Sequence, residues 1–232
     1  MSRRSLVAVA SLVALVSLAG CAGQRPLYLL RADAMRNIAE ENYQAAEPDL
    51  KYYVEQRRDD YKTRFEYAKC LLKLDRPTEA RTHFAICADA EPQNDMYWDW
   101  LAEAMFLGGE RASLTTFLEQ RARGRGAVAD WMRLASFCQR QGNPDEAEQA
   151  FLTAAKVDAG RTGSVQKTLA DFYGSLGDRV HQVRRLRMAF YLDPKNQLYI
   201  DEIRRMGEIP GPSFGMVPEE ASPVLADAPG WQ

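Results

Sequence analysis

A small or aliphatic residue opens the same apolar frame at Ala46, Ala80, Leu114 and Ala147, and Gln182 holds that place once more, at intervals of 34, 34, 33 and 35 residues. No other feature constrains the fold as strongly as this near-constant period. Within the intervals, apolar side chains recur at i, i+3 and i+7, as in Trp98, Leu101 and Met105 and again in Trp131, Leu134 and Cys138. Such spacing is one stripe of a 3.6-residue helix. Ala68, Ala102, Ala135 and Ala170 let a second helix approach closely. Gly109, Gly142 and Gly177 fall where a first helix must stop and turn back, and glycine enters the left-handed backbone without steric cost. Asn143 is placed to cap the helix that follows, with Pro144 in its first turn. Each interval therefore predicts a helical hairpin. A hairpin of this size cannot bury its apolar side alone, so consecutive hairpins must stack on one another.

The frame resembles the tetratricopeptide repeat, in which W-x2-L-G-x2-Y is followed by A-x3-F and then P. Trp131, Leu134, Ala135 and Cys138 precede Gly142, Ala147, Phe151 and Ala154; Trp98, Leu101, Ala102 and Met105 precede Gly109, Leu114 and Leu118. Leu169, Ala170 and Tyr173 precede Gly177, Leu186, Ala189 and Pro194, and Tyr67, Ala68 and Leu71 precede Ala80, Phe84, Cys87 and Pro92. A weaker first copy holds Ala34, Tyr43, Ala46 and Leu50. The resemblance implies an all-α fold, a right-handed superhelix (α-solenoid) of antiparallel helix pairs with a concave side. Its units fall at about 27–60, 61–94, 95–127, 128–162 and 163–196. Leu198, Tyr199, Ile200, Ile203 and Met206 then predict a capping helix that completes a solenoid spanning 27–207. Departures from the frame are Glu41 in a glycine place, and Arg121 and Gln182 in small-residue places; Gln182 predicts a loosely packed last hairpin. From 208 to 232 five prolines and four acidic residues predict a disordered tail.

The N-terminus is of another kind. Arg3 and Arg4 precede an uncharged apolar run, Leu6 to Leu18, too short to cross a bilayer comfortably, and the run ends in Leu18-Ala19-Gly20-Cys21. This resembles the signal peptide and lipobox of bacterial lipoproteins. The resemblance implies removal of residues 1–20, lipidation of Cys21 including palmitate-type acylation, and a short tether over 21–26. Ala22 is not the aspartate associated with inner-membrane retention, so the implied destination is the periplasmic face of the outer membrane. Cys70, Cys87 and Cys138 remain, all at apolar places of the helical pattern. They read as three buried thiols, or as a Cys70–Cys87 disulfide and one thiol.

Charge and motif content narrow the chemistry. The formal net charge of -2 gives no global basis for binding nucleic acid, and two histidines with four cysteines leave few ligands for a metal. No zincin, phosphate-loop, nucleophile-elbow or dinucleotide motif is present. The reading is of a protein that is not an enzyme and takes no cofactor, metal or nucleic acid. Arg121, Arg123 and Arg125, interleaved with Gly124 and Gly126, read as a solvated basic loop.

In tetratricopeptide domains, the second, fifth, ninth and twelfth residues of each unit line the concave groove. The resemblance places Lys62, Phe65, Lys69 and Leu72 there in the second unit, and Met96, Asp99, Glu103 and Phe106 in the third. The fourth contributes Ala129, Met132, Ser136 and Gln139, and the fifth Lys167 and Asp171. Phe65, Leu72, Phe106 and Met132 have no structural need to face water, so they form a candidate patch for a helix or extended peptide, with Phe65 and Phe106 foremost. Lys62 and Lys69 against Asp99 and Glu103 predict a polarised rim. No asparagine stands at these places, which argues against the clamp that grips a peptide's C-terminal carboxylate. The functional expectation is a membrane-anchored scaffold or adaptor for a cell-envelope protein, of the kind exemplified by pilotins of secretins and pili and by the lipoprotein of β-barrel assembly. A polysaccharide-export or cell-wall scaffold, and a peptide-binding regulatory subunit of an envelope enzyme, stand as alternatives.

Overall fold

The computed structural model describes residues 25–221. The signal segment, Cys21 and residues 222–232 lie outside the described residues. Among those described are eleven α-helices and no strand: α1 (Leu27–Ala39), α2 (Tyr43–Gln56), α3 (Tyr61–Lys73), α4 (Pro77–Ala90), α5 (Asp95–Leu107), α6 (Arg111–Arg125), α7 (Val128–Arg140), α8 (Pro144–Asp158), α9 (Gly163–Ser175), α10 (Arg179–Leu192) and α11 (Gln197–Arg205). The chain divides into two compact units, one ending at Ala104 and the other beginning at Met105, with the boundary inside α5. In the first unit α1 packs on α2 and α3 on α4; in the second α7 packs on α8 and α9 on α10. This is an all-α array of helix pairs.

One device turns the chain at the end of α1, α3, α5, α7 and α9. Glu41, Asp75, Gly109, Gly142 and Gly177 take positive φ, between 57° and 81°. The next residue donates its N–H back five positions: Asn42 to Ile38's neighbour Asn37, Arg76 to Leu71, Glu110 to Met105, Asn143 to Cys138 and Asp178 to Tyr173, at 2.7–3.0 Å. The left-handed residue itself donates three positions back, at 3.0–3.1 Å in every case. These are five Schellman closures, which satisfy carbonyls that a helix end would leave open. At Glu41 and Asp75 a side chain occupies a conformation that costs a non-glycine residue about 1–2 kcal/mol. The remaining turn chemistry is local. Pro77 and Pro144 sit in the first turns of α4 and α8, while Asp60 accepts from Thr63 N–H at 3.0 Å to cap α3. Asn143 makes no cap: its amide donates to Glu146 instead.

Small residues carry the helix crossings. Ala34, Ala68, Ala102, Ala135 and Ala170 on the first helices are fully buried, as are Ala46, Ala80, Leu114 and Ala147 on the second. At the fifth such place stands Gln182, and the last hairpin is nevertheless closely packed. A Cβ added to Gly174 would lie 2.6 Å from the Gln182 amide nitrogen, so the missing side chain on α9 makes room for the long one on α10. Leu186, Ala189 and Phe190 of α10 then share a core with Tyr199 and Ile203 of α11.

The chain does not come loose at 208. Phe214 joins that terminal core, the Met216 N–H donates to the Arg187 carbonyl at 3.2 Å, and Glu220 pairs with Arg185 at 2.6 Å. Over 208–221 the expected disordered tail is therefore corrected to an ordered strap. Its prolines and acidic residues suggest disorder, but Phe214 finds an apolar core and Glu220 a buried arginine that composition does not reveal.

Cys70, Cys87 and Cys138 are buried free thiols. Burial, the largest influence on each, pushes their pKa up to about 11, which keeps them protonated and unreactive at neutral pH. Cys70 and Cys87 donate weakly to the carbonyls of Tyr43 and Tyr61.

Candidate peptide-binding face

In the first unit, Lys62, Met96 and Asp99 stand exposed, while Lys69, Leu72 and Glu103 are half-buried. Met96, at 46% exposure, is the most open apolar side chain among these six. Phe65 is different. It is only 6% exposed, and its ring lies 5.4 Å from Phe84, 5.1 Å from Tyr97 and 6.0 Å from Trp100, measured between centroids. Phe84 and Trp100 stack on each other at 5.8 Å. The placement of Phe65 in a groove is thus corrected: it belongs to the aromatic core that joins the α3–α4 hairpin to α5. Lys69, paired with Glu66 at 2.8 Å, sets its ammonium 5.2 Å from the Phe65 ring and covers the residue from the solvent side.

In the second unit Phe106 keeps a partly open ring. It tilts against Phe137 at 5.9 Å, and the Arg140 guanidinium lies 4.1 Å from the Phe106 centroid and 4.9 Å from that of Phe137. An arginine over two rings is a charged cover with an apolar underside, suited to stacking on a further planar or aliphatic group. Met132 is half-buried, and exposed Gln139 donates to the Ser175 hydroxyl at 3.1 Å, linking α7 to α9. At the last pair Asp171 stays exposed and Lys167 is half-buried. Lys167 bridges Asp171 and, at 2.7 Å, Glu202 of α11. Burial opposes the charge on Lys167, but the two carboxylates outweigh it and hold its pKa above the ordinary lysine value.

Arg140 is absent from the positions inferred from the repeat; the signal that could have found it is an arginine three residues beyond Phe137 on the same helix. The basic run also reads differently in three dimensions. Arg121 and Arg125 reach Asp130 at 3.2 and 3.4 Å, and Arg133 meets it at 2.6 Å. Asp130 is 2% exposed and forms a buried ionic knot with Arg121 and Arg133, which the exposed Arg125 reaches from outside; α6 continues as a helix through Gly124 to Arg125, so the run is not a loop. Arg123 stays at the surface beside Glu119. The histidines are equally local. His83 packs on Tyr67 and meets Arg64 at 3.1 Å, and its pKa is lowered by burial and then by Arg64; His181 stacks on Tyr173 and pairs with the capping Asp178. Among the described residues no cluster of three histidine, cysteine or acidic side chains is placed to hold a metal ion.

Paired helices closed by one recurring turn define a helical-repeat protein. Residues 37–104 match the sequence profile of the tetratricopeptide repeat. Among solved structures, the chain is similar to the MamA protein, with a TM-score of 0.51 and 12% identity over 77% of this chain and 94% of that one. It is likewise similar to MamA from Desulfovibrio magneticus RS-1, residue 41 to the end, with a TM-score of 0.50 and 14% identity over 76% of this chain and 99% of that one. At such identities the likeness is one of fold. No curated protein sequence matches the chain.

Proposed function

We propose that this chain is a lipid-anchored, non-enzymatic adaptor that holds a segment of a cell-envelope protein against its first-helix faces. The observation that carries the reading is Phe106, an aromatic ring left partly open on α5 under the Arg140 guanidinium, with Met132 also half-buried on neighbouring α7. An apolar surface of this kind fits a partner segment that brings an aromatic or aliphatic anchor. The anchor is Cys21. Several acyl chains there would hold the protein at a bilayer, each buried methylene adding about 0.8 kcal/mol, and among the described residues no helix is long and apolar enough to cross one. The periplasmic face of the outer membrane is the site of action, and assembly of an envelope complex such as a secretin or pilus is the role.

Chemical crosslinking in the native envelope, followed by purification of the acylated protein, tests this reading. A recurrent envelope protein is expected with the wild-type chain and is lost with Phe106→Ser while the helical circular dichroism is kept. Polysaccharide-export machinery or an envelope enzyme in its place would redirect the role; capture unaffected by Phe106→Ser would reject the face. The anchor is tested separately, since Cys21→Ser should move the protein out of the membrane fraction, and persistence there would reject lipid attachment.

A further inference from the structure

The strap over 208–221 is seated in a manner closer to a bound ligand than to a packed chain end. It contains no helix or strand of its own and is joined to α11 by Gly207-Glu208-Ile209-Pro210-Gly211-Pro212, where Gly207 takes a φ of 78° and Ile209 is 84% exposed. Beyond this hinge, three subsites receive it. Phe214 meets Phe190 edge-on at 5.8 Å, while the Arg187 side chain donates to the Phe214 carbonyl at 2.7 Å. Pro218 lies over Gly160, where an added Cβ would come within 2.7 Å of the proline ring and 2.9 Å of the Ala221 nitrogen; no side chain could stand there with the strap in place. Glu220 ends on a buried polar pair: Arg185 donates to one carboxylate oxygen at 2.6 Å and the Gln166 amide to the other at 3.0 Å. Arg185 also donates to the Gln166 carbonyl oxygen at 2.9 Å, which fixes the amide's orientation. Gln166 is fully buried and Arg185 6% exposed, and Arg184 at the rim pairs with Glu219.

We propose that the C-terminal end of α8, the start of α9 and the middle of α10 form a receptor site for an extended segment carrying a proline followed by two carboxylates, and that the strap is its resident ligand, exchangeable for such a segment of a partner protein. A guanidinium and an amide that read both oxygens of one carboxylate make a directional, charge-assisted site. The ligand side of the interface, by contrast, is a segment without helix or strand, joined through glycines and prolines. A tether of this length gives the strap an effective concentration of the order of millimolar. A partner therefore displaces it only by binding more tightly than the strap alone or by adding contacts elsewhere on the repeat surface. The site is separate from the Phe106 face and stands or falls independently of the adaptor reading.

A fluorescein-labelled synthetic peptide of residues 208–221 is the probe. The full chain carrying Glu219→Ala and Glu220→Ala, in which the resident strap is weakened, is expected to bind it at least tenfold more tightly than the wild type by anisotropy. The same peptide with Glu220→Lys is expected not to bind. In the unaltered chain, excess native peptide should speed hydrogen exchange at the Met216 amide, and the lysine peptide should not. Equal affinity of the two chains, equal binding of the two peptides, or a Met216 amide indifferent to the native peptide would each overturn the proposal.

Discussion

Phe65 and Phe106 are the same residue on two first helices, and the fold uses them in opposite ways. Phe65 is the fifth residue of its unit. From there its ring points into the seam where Phe84 of its own hairpin meets Tyr97 and Trp100 of α5. Phe106 is the twelfth, in the last turn of α5, where it has Phe137 on one side and the Arg140 guanidinium over its ring. The contrast teaches that place in the repeat does not by itself decide burial: Phe65 meets three aromatic rings and joins the core, whereas Phe106, in the last turn of its helix, keeps a partly open ring. Among the other twelfth places, Leu72 is half-buried and Gln139 exposed, while the space over Gly174 is filled by the Gln182 side chain.

The largest effect should come from breaking the buried side of the contrast. Phe65→Ala is expected to cost about 4 kcal/mol in urea unfolding, because it empties the centre of an aromatic cluster; a cost under about 1 kcal/mol would return Phe65 to the surface. In the second unit the comparable buried feature is ionic. Asp130→Ala leaves Arg121 and Arg133 without their shared carboxylate and is expected to cost about 3 kcal/mol in the same assay. Phe106→Ala should cost only about 1 kcal/mol, the loss of a partly exposed ring and its cation–π contact, while partner capture falls. The smallest effect has the opposite sign. Asp75→Gly relieves a left-handed aspartate in a turn shaped like those at Gly109 and Gly142, and should raise stability by about 0.5 kcal/mol after the extra entropy of the unfolded glycine is deducted.

The helix pairs were legible because a 34-residue period and an i, i+3, i+7 stripe are properties of the backbone repeat itself, independent of what any one side chain touches. Even the turns at Glu41 and Asp75, which lack the glycine signal, keep the same closure because the paired helices on either side demand it. The candidate site was legible only as a set of positions. Position alone could not report that Phe65 would find Tyr97 and Trp100, nor that Arg140 would close over Phe106. The strap was hidden for a related reason. Prolines and acidic residues read as disorder when counted locally, but Glu220 is held by Arg185 and Gln166, 35 and 54 residues away along the chain. Likewise Gln182 reads as a packing defect until Gly174 is seen to lie beneath it.

Site-specific photo-crosslinking in the native envelope tests the central claim most directly. A photoreactive residue placed at Met132 on α7 is to be compared with one at Val180 on α10, an exposed second-helix position. The adaptor account predicts one discrete envelope-protein adduct from position 132 and none from position 180. An adduct from position 180 with none from position 132 would contradict it.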